Sequence, residues 1–153
     1  MYILDRKVDK VLDTEIIKEI RKMERAVRKF ALMWKKTYRY TDIEDFRKEV
    51  KAARMNIIKA FTMDKHMYIG KLYYYGLAKG NICNIECDME DLASKEMNVM
   101  SDKQWAELAI YLDTVNEMLD KLVSSLEAKY NIKNSMPAAV MPHIDFNEHQ
   151  QFT

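Results

Sequence analysis

From Trp105 to Leu126 the apolar residues fall at alternating steps of three and four: Trp105, Leu108, Leu112, Val115, Leu119, Leu122, Leu126. Only an α-helix repeats in this way, because about 3.6 residues per turn bring all seven to one side. A helix with a single apolar stripe must bury that stripe against something. The chain supplies three more stripes of the same rhythm. The first is Ile16, Ile20, Met23, Val27, Phe30, Trp34, and the second is Phe46, Val50, Ala53, Ile57, Phe61. The third is Tyr68, Leu72, Tyr75, then Ile82, Ile85 or Glu86, Met89 and Leu92, with Lys79 interrupting it. Three Gly and two Pro leave few turn formers, which argues against a sheet-rich fold. A content of 48% hydrophobic and 32% charged residues excludes a disordered chain. The expected fold is all-α: an antiparallel up-down-up-down four-helix bundle.

The punctuation between stripes sets the expected boundaries. Residues 1–13 read as a charged N-terminal arm, 14–131 as the bundle and 132–153 as an extended or disordered tail that holds both prolines. Helix one is expected from Asp13 or Thr14 to about Tyr38. Thr41-Asp-Ile-Glu44 is a capping box, a Thr that caps a backbone donor with a Glu three residues later reaching back, and it is expected to open helix two. Asp64 is the expected cap of a third helix from Lys65 to about Glu96. All three glycines, Gly70, Gly76 and Gly80, fall in that helix. Each costs up to about 1 kcal/mol against Ala, which points to close approach of a neighbouring backbone. The alternative is a break between Tyr75 and Gly80; a continuous helix is the favoured reading. Ser101-Asp-Lys-Gln104 is a second capping box and opens the last helix, expected to end near Tyr130.

Catalytic and metal chemistry lack their parts. Di-iron bundles need Glu-x-x-His pairs, and the chain has none; its histidines are His66, His143 and His149. Cys83 and Cys87 sit one helical turn apart without a second pair to complete a zinc site, and are expected to be free, buried thiols in a reducing cytoplasm. There is no phosphate-cradling glycine loop and no nucleophile with a base beside it. The expectation is a protein that is not an enzyme, with no cofactor, no metal and no small-molecule substrate. No stretch approaches the roughly 20 apolar residues of a membrane span. Of the consecutive Tyr73, Tyr74 and Tyr75, at least one must face away from the core, toward a protein contact or an unpaired base.

What remains is charge. The net charge of +1 hides an asymmetry: residues 1–62 hold 17 Lys and Arg against 10 Asp and Glu, and residues 63–153 hold 8 against 14. Around the first stripe stand Lys18, Arg21, Lys22, Arg25, Arg28, Lys29, Lys35, Lys36 and Arg39, offset only by Glu19 and Glu24. A second strip, Arg47, Lys51 and Arg54, joined by Lys48 and Lys59, lies outside the second stripe. Either these are ordinary solvated faces, or the two strips merge into one field that holds a polyanion through phosphate-led, salt-dependent contacts.

Three segments of the second half carry a family resemblance. Ala78-Lys-Gly-Asn-Ile-Cys-Asn-Ile-Glu86 resembles an "A-x-G-S-L-x-E-L-E" segment of small bacterial four-helix-bundle proteins. Val99-Met-Ser-Asp-Lys-Gln-Trp105 resembles the "L-S-x-x-x-[FY]" start of their last helix, and Leu119-Asp-Lys-Leu-Val-Ser-Ser-Leu126 their "M-L-x-x-L-I-x-S-L" ending. The group includes proteins encoded in ribosomal RNA intervening sequences and the accessory variability determinants of diversity-generating retroelements. The resemblance covers roughly residues 46–128. The "N-I-A-E-G" segment of many members is absent, which points away from the intervening-sequence branch. The resemblance implies a ring-like homo-oligomer, typically a pentamer. It also implies a non-enzymatic accessory role, binding a reverse transcriptase and its template RNA to support mutagenic cDNA synthesis, with the cationic strips as the contact surface. The competing reading is a self-assembling scaffold with no nucleic-acid role, the positive half of one copy against the negative half of the next.

Overall fold

The computed structural model describes residues 14–94, 96 and 98–134. Among the described residues four helices form the fold: α1 (Glu15–Ala31), α2 (Tyr40–Thr62), α3 (Tyr68–Ser94) and α4 (Asp102–Asn134). A 3-10 turn, Leu32–Trp34, follows α1 directly. The helices form a closed circuit, each packed on the next and α4 back on α1. Cross-links give the directions. Lys71 Nζ donates to the Ala60 carbonyl at 2.7 Å while Arg39 reaches Asp91, so α2 and α3 are antiparallel. The Tyr68 and Tyr130 rings meet at a tilt and Lys79 pairs with Asp120, so α3 and α4 are antiparallel too. Trp34 meets Trp105 edge to face at 6.4 Å, closing α1 on α4. The chain is an all-α, up-down-up-down four-helix bundle.

The predicted stripes supply most of the core, although Tyr68, Leu72 and Met89 of the third are only half-buried. Ile16, Ile20, Met23, Val27, Phe30 and Trp34 are buried on α1 and its 3-10 extension. Phe46, Val50, Ala53 and Ile57 are buried on α2, and Tyr75, Ile82, Ile85 and Leu92 on α3. Trp105, Leu108, Leu112, Val115 and Leu119 are buried on α4, while Phe61, Leu122 and Leu126 pack at the edge. Of the three tyrosines in a row, Tyr75 is buried, Tyr74 half-buried and Tyr73 exposed, as consecutive helical positions require. The buried Trp34 Nε1 has no acceptor among the described residues.

Around the first three helices the boundaries depart from expectation in three places. First, α1 ends at Ala31 rather than near Tyr38, and a 3-10 turn carries the stripe to Trp34. Second, the Thr41–Glu44 box does not form. Thr37 organises this turn instead: its hydroxyl donates to the Trp34 carbonyl at 2.9 Å and accepts from Arg39 N–H at 3.2 Å. That lets α2 begin at Tyr40, which leaves Thr41 inside the helix rather than ahead of it. Third, Asp64 closes a turn by accepting from His66 N–H at 2.9 Å, and α3 starts only at Tyr68. The second box is formed in full, with Gln104 N–H donating to Ser101 Oγ at 3.2 Å and Ser101 N–H to Gln104 Oε1 at 2.9 Å.

Helix α3 is continuous through Gly76 and Gly80. The expected close approach of a neighbour is not the reason they are there: a Cβ at either position would meet no atom within 4 Å. Only at Gly70 would a Cβ collide, with the flexible end of Met63. Cys83 and Cys87 are free, as expected, but exposed rather than buried, because their side of α3 faces away from both neighbours. The expected arm (1–13) and the tail from 135 onward lie outside the described residues, whereas 132–134, expected to begin that tail, are the last residues of α4.

Candidate nucleic-acid interface

The flanks of α2 carry opposite charge. Its buried stripe runs Ile43, Phe46, Val50, Ala53, Ile57. Positions one step to one side of it, Arg47, Lys48, Lys51 and Arg54, turn toward α1. Positions on the other side, Asp42, Asp45 and Glu49, turn toward α3, where Asp88 and Asp91 add two more carboxylates. Burial raises the Asp88 carboxyl above its ordinary value, and repulsion from Glu49 and Asp45 adds to it. Glu49 also accepts from Asn81 at 2.8 Å and Asn84 at 3.0 Å, so this flank is a polar seam between α2 and α3.

Between α1 and α2 the two cationic strips do meet. A hollow of about 340 Å³ is lined by Arg28 from α1 and by Arg47, Lys48, Lys51 and Arg54 from α2, together with Glu24 and Glu44. It runs on into a second hollow of about 240 Å³ lined by Arg21, Glu24, Arg25, Arg28 and Arg54. The result is one groove with seven cations and two carboxylates. Its floor is the Arg54–Glu24 ion pair, whose side chains are only 16% and 13% exposed. Arg47 lies 3.6 Å from Glu44 at one wall. Two intramolecular carboxylates leave a net excess of five cations, which a polyanion with regularly spaced charges can match.

The other predicted cations disperse. Lys22 and Lys29 line a shallow hollow of about 220 Å³ on the α4 side, with Glu107 and Tyr111 opposite and Arg25 on the ridge between it and the groove. Lys22 pairs there with Glu19 at 2.9 Å. Lys18 is exposed outside both hollows, and Lys35 and Lys36 are exposed beyond the 3-10 turn. Lys59 lies 5.5 Å above the Tyr74 ring, on the side away from the groove.

Arg39 requires a correction. The sequence placed it on the cationic face, but it is buried, with 5% of its surface exposed. Its Nε donates to Asp42 at 3.0 Å, Nη2 to the Asp91 carboxylate at 2.7 Å and Nη1 to the Asp91 carbonyl at 3.3 Å. The guanidinium lies 5.9 Å from the Trp34 ring. Every part of it is engaged inside the fold, so it is a structural residue and leaves the candidate interface. The cause is the end of α1 eight residues earlier, which takes Arg39 out of the helical register that the strip assumed. Sequence reading also left Tyr38 and Tyr40 out of the site, although both are large and exposed where the chain passes from α1 to α2. Their signal was two tyrosines flanking an arginine between cationic helices.

Among the described residues no three His, Cys, Asp or Glu side chains converge as a metal site needs, and no helix is long and apolar enough to cross a membrane. No family model matches the chain, and neither a curated protein nor a solved structure matches it.

Proposed function

We propose that this protein is a non-enzymatic accessory module that binds RNA through the α1–α2 groove. On the resemblance of residues 46–128 to the accessory variability determinants, its protein partner would be a reverse transcriptase, its RNA the template for mutagenic cDNA synthesis, and its working form a homo-oligomer, typically a pentamer. The observation that supports RNA binding is the convergence of Arg21, Arg25, Arg28, Arg47, Lys48, Lys51 and Arg54 on one groove with only Glu24 and Glu44 to oppose them. Phosphate contacts of this kind fix position without reading sequence. The test is a salt titration of RNA affinity for the native chain and for Arg25→Glu/Lys51→Glu, both sites being exposed. Native affinity falls steeply with salt, and the double reversal weakens binding more than about tenfold and flattens the salt slope by about 1.4, the value for two single-strand phosphate contacts. Salt-indifferent binding, or an unaffected double variant, refutes the reading.

A second reading has its own support. The carboxylate flank of α2–α3, with Asp42, Asp45, Glu49, Asp88 and Asp91, is complementary in charge to the groove. A scaffold would seat the groove of one copy on that flank of the next. Light scattering separates the two: dissociation on adding salt, together with no RNA affinity at low salt, favours the scaffold.

A further inference from the structure

At the end of the groove nearest the turn between α1 and α2, the rows of charged residues give way to large uncharged ones. On α1 the row Arg21, Arg25, Arg28 continues at its next helical step with Leu32, which is 71% exposed. On α2 the row Lys51, Arg47 and Glu44 continues with Tyr40, which is 40% exposed. The two helices are antiparallel, with Glu24 opposite Arg54 and Arg28 beside Arg47, so both continuations reach the same end of the groove. Tyr38, 75% exposed, stands in the turn between them. The Glu44 carboxylate, one helical turn on from Tyr40, raises the Tyr40 phenol above its ordinary value and belongs to the groove wall, so the ring stands beside that wall. The composite is a cationic trench about 10 Å long from Arg21 to Arg28, with Leu32, Tyr38 and Tyr40 exposed at one end.

This combination discriminates among polyanions. An acidic peptide or a polyphosphate would use the cations and leave Leu32 and Tyr40 wet. A duplex turns its phosphates outward but hides its base faces in the stack. Packed helices lie about 8–10 Å apart axis to axis, and Arg54 lies low between them with 16% of its side chain exposed. A duplex wall rests on the crests of such a trench, whereas one strand can lower a phosphate into it. Only an unpaired strand offers phosphates and a free base face within one nucleotide of each other.

We infer that the α1–α2 groove takes an unpaired RNA strand, with phosphates along Arg25, Arg28 and Lys51 and a base stacked on Tyr40, its edge shielded by Tyr38 and Leu32. The inference rests on the RNA reading above and adds the strandedness and the base contact.

The test measures fluorescence anisotropy of a labelled oligouridylate and of a blunt RNA duplex with the same number of phosphates, against the full chain. Single strand binds about tenfold more tightly than duplex. Tyr38→Ala/Tyr40→Ala weakens single-strand binding about tenfold with the salt slope unchanged, and leaves duplex binding as it was. Tyr40→Phe keeps native affinity, since the ring stacks and the hydroxyl does not. Equal binding of strand and duplex by the native chain overturns the inference, and this comparison needs no variant to fold. Native single-strand affinity in the double alanine variant overturns it as well. In either case a weakened Arg25→Glu/Lys51→Glu leaves the groove reading standing, whereas normal binding by that variant removes both.

Discussion

The Arg39 guanidinium donates to the Asp91 carboxylate at 2.7 Å across 52 positions of sequence, tying the turn before α2 to the last residues of α3. The two acids that hold Arg39 are themselves half-exposed, so only the arginine is sealed inside. Arg39→Ala removes three charge-assisted hydrogen bonds and the stacking on Trp34, and leaves behind carboxylates that water can reach. The expected loss is about 2 kcal/mol of stability, read from urea unfolding, with RNA affinity of the folded protein unchanged. A large loss of affinity at unchanged stability would return Arg39 to the interface.

Glu24 is the anion at the floor of the cationic groove, bound to Arg54. Its neutralisation frees a guanidinium and deepens the positive field. Glu24→Gln is expected to tighten RNA binding about fivefold at low salt, the equivalent of about 1 kcal/mol between charges near contact. The gain shrinks as salt rises. Anisotropy titrations at two ionic strengths check both parts.

Gly76 and Gly80 lie inside a continuous helix with open space where a Cβ would stand. Gly76→Ala and Gly80→Ala each stabilise the chain by about 0.5–1 kcal/mol, since Ala restricts the unfolded chain and meets nothing in the folded one. Thermal melts of the two single variants and the double variant measure this. A lowered melting temperature would mean that a second chain packs on this bare backbone in solution.

Burial pushes the Tyr75 phenol up to about 12 from 10.0. Below pH 10 the phenol is neutral in folded and unfolded chains alike, and the stability it contributes is fully present. Between pH 10 and 12 the unfolded chain releases the proton and the folded one holds it, so stability falls through that window. Tyr75→Phe melts at native-like temperature at neutral pH and loses less on the way from pH 9 to pH 11. An identical alkaline decline in both proteins would refute the assignment.

The core was legible because packing acts on every residue of a stripe at once. Seven apolar positions from Trp105 to Leu126 cannot share a side in any other conformation, and all seven pack in the core or at its edge. Boundaries were legible only where the local signal had no competitor. Ser101 and Gln104 bond reciprocally, as their spacing demands. Thr41 lost to Thr37, whose hydroxyl reaches a carbonyl freed by the 3-10 turn, and nothing local to Thr41 announces that. The groove was half legible. The cations of α1 and α2 follow from composition, but whether Arg47 and Arg54 turn toward α1, and Arg39 inward, depends on where the first helix stops. The exposure of Cys83 and Cys87 is a matter of which neighbours α3 has, and a thiol's small size gives no hint of that.

Opposite charges on the two flanks of one helix also act at a distance. A molecule with cations along the α1 side of α2 and carboxylates along the α3 side has a moment transverse to its long axis. The field of a phosphate chain, the proposed ligand, would exert a torque on that moment and turn the molecule before contact. Encounters with such a ligand would then begin groove first, and collisions on the acidic side would be repelled rather than merely unproductive.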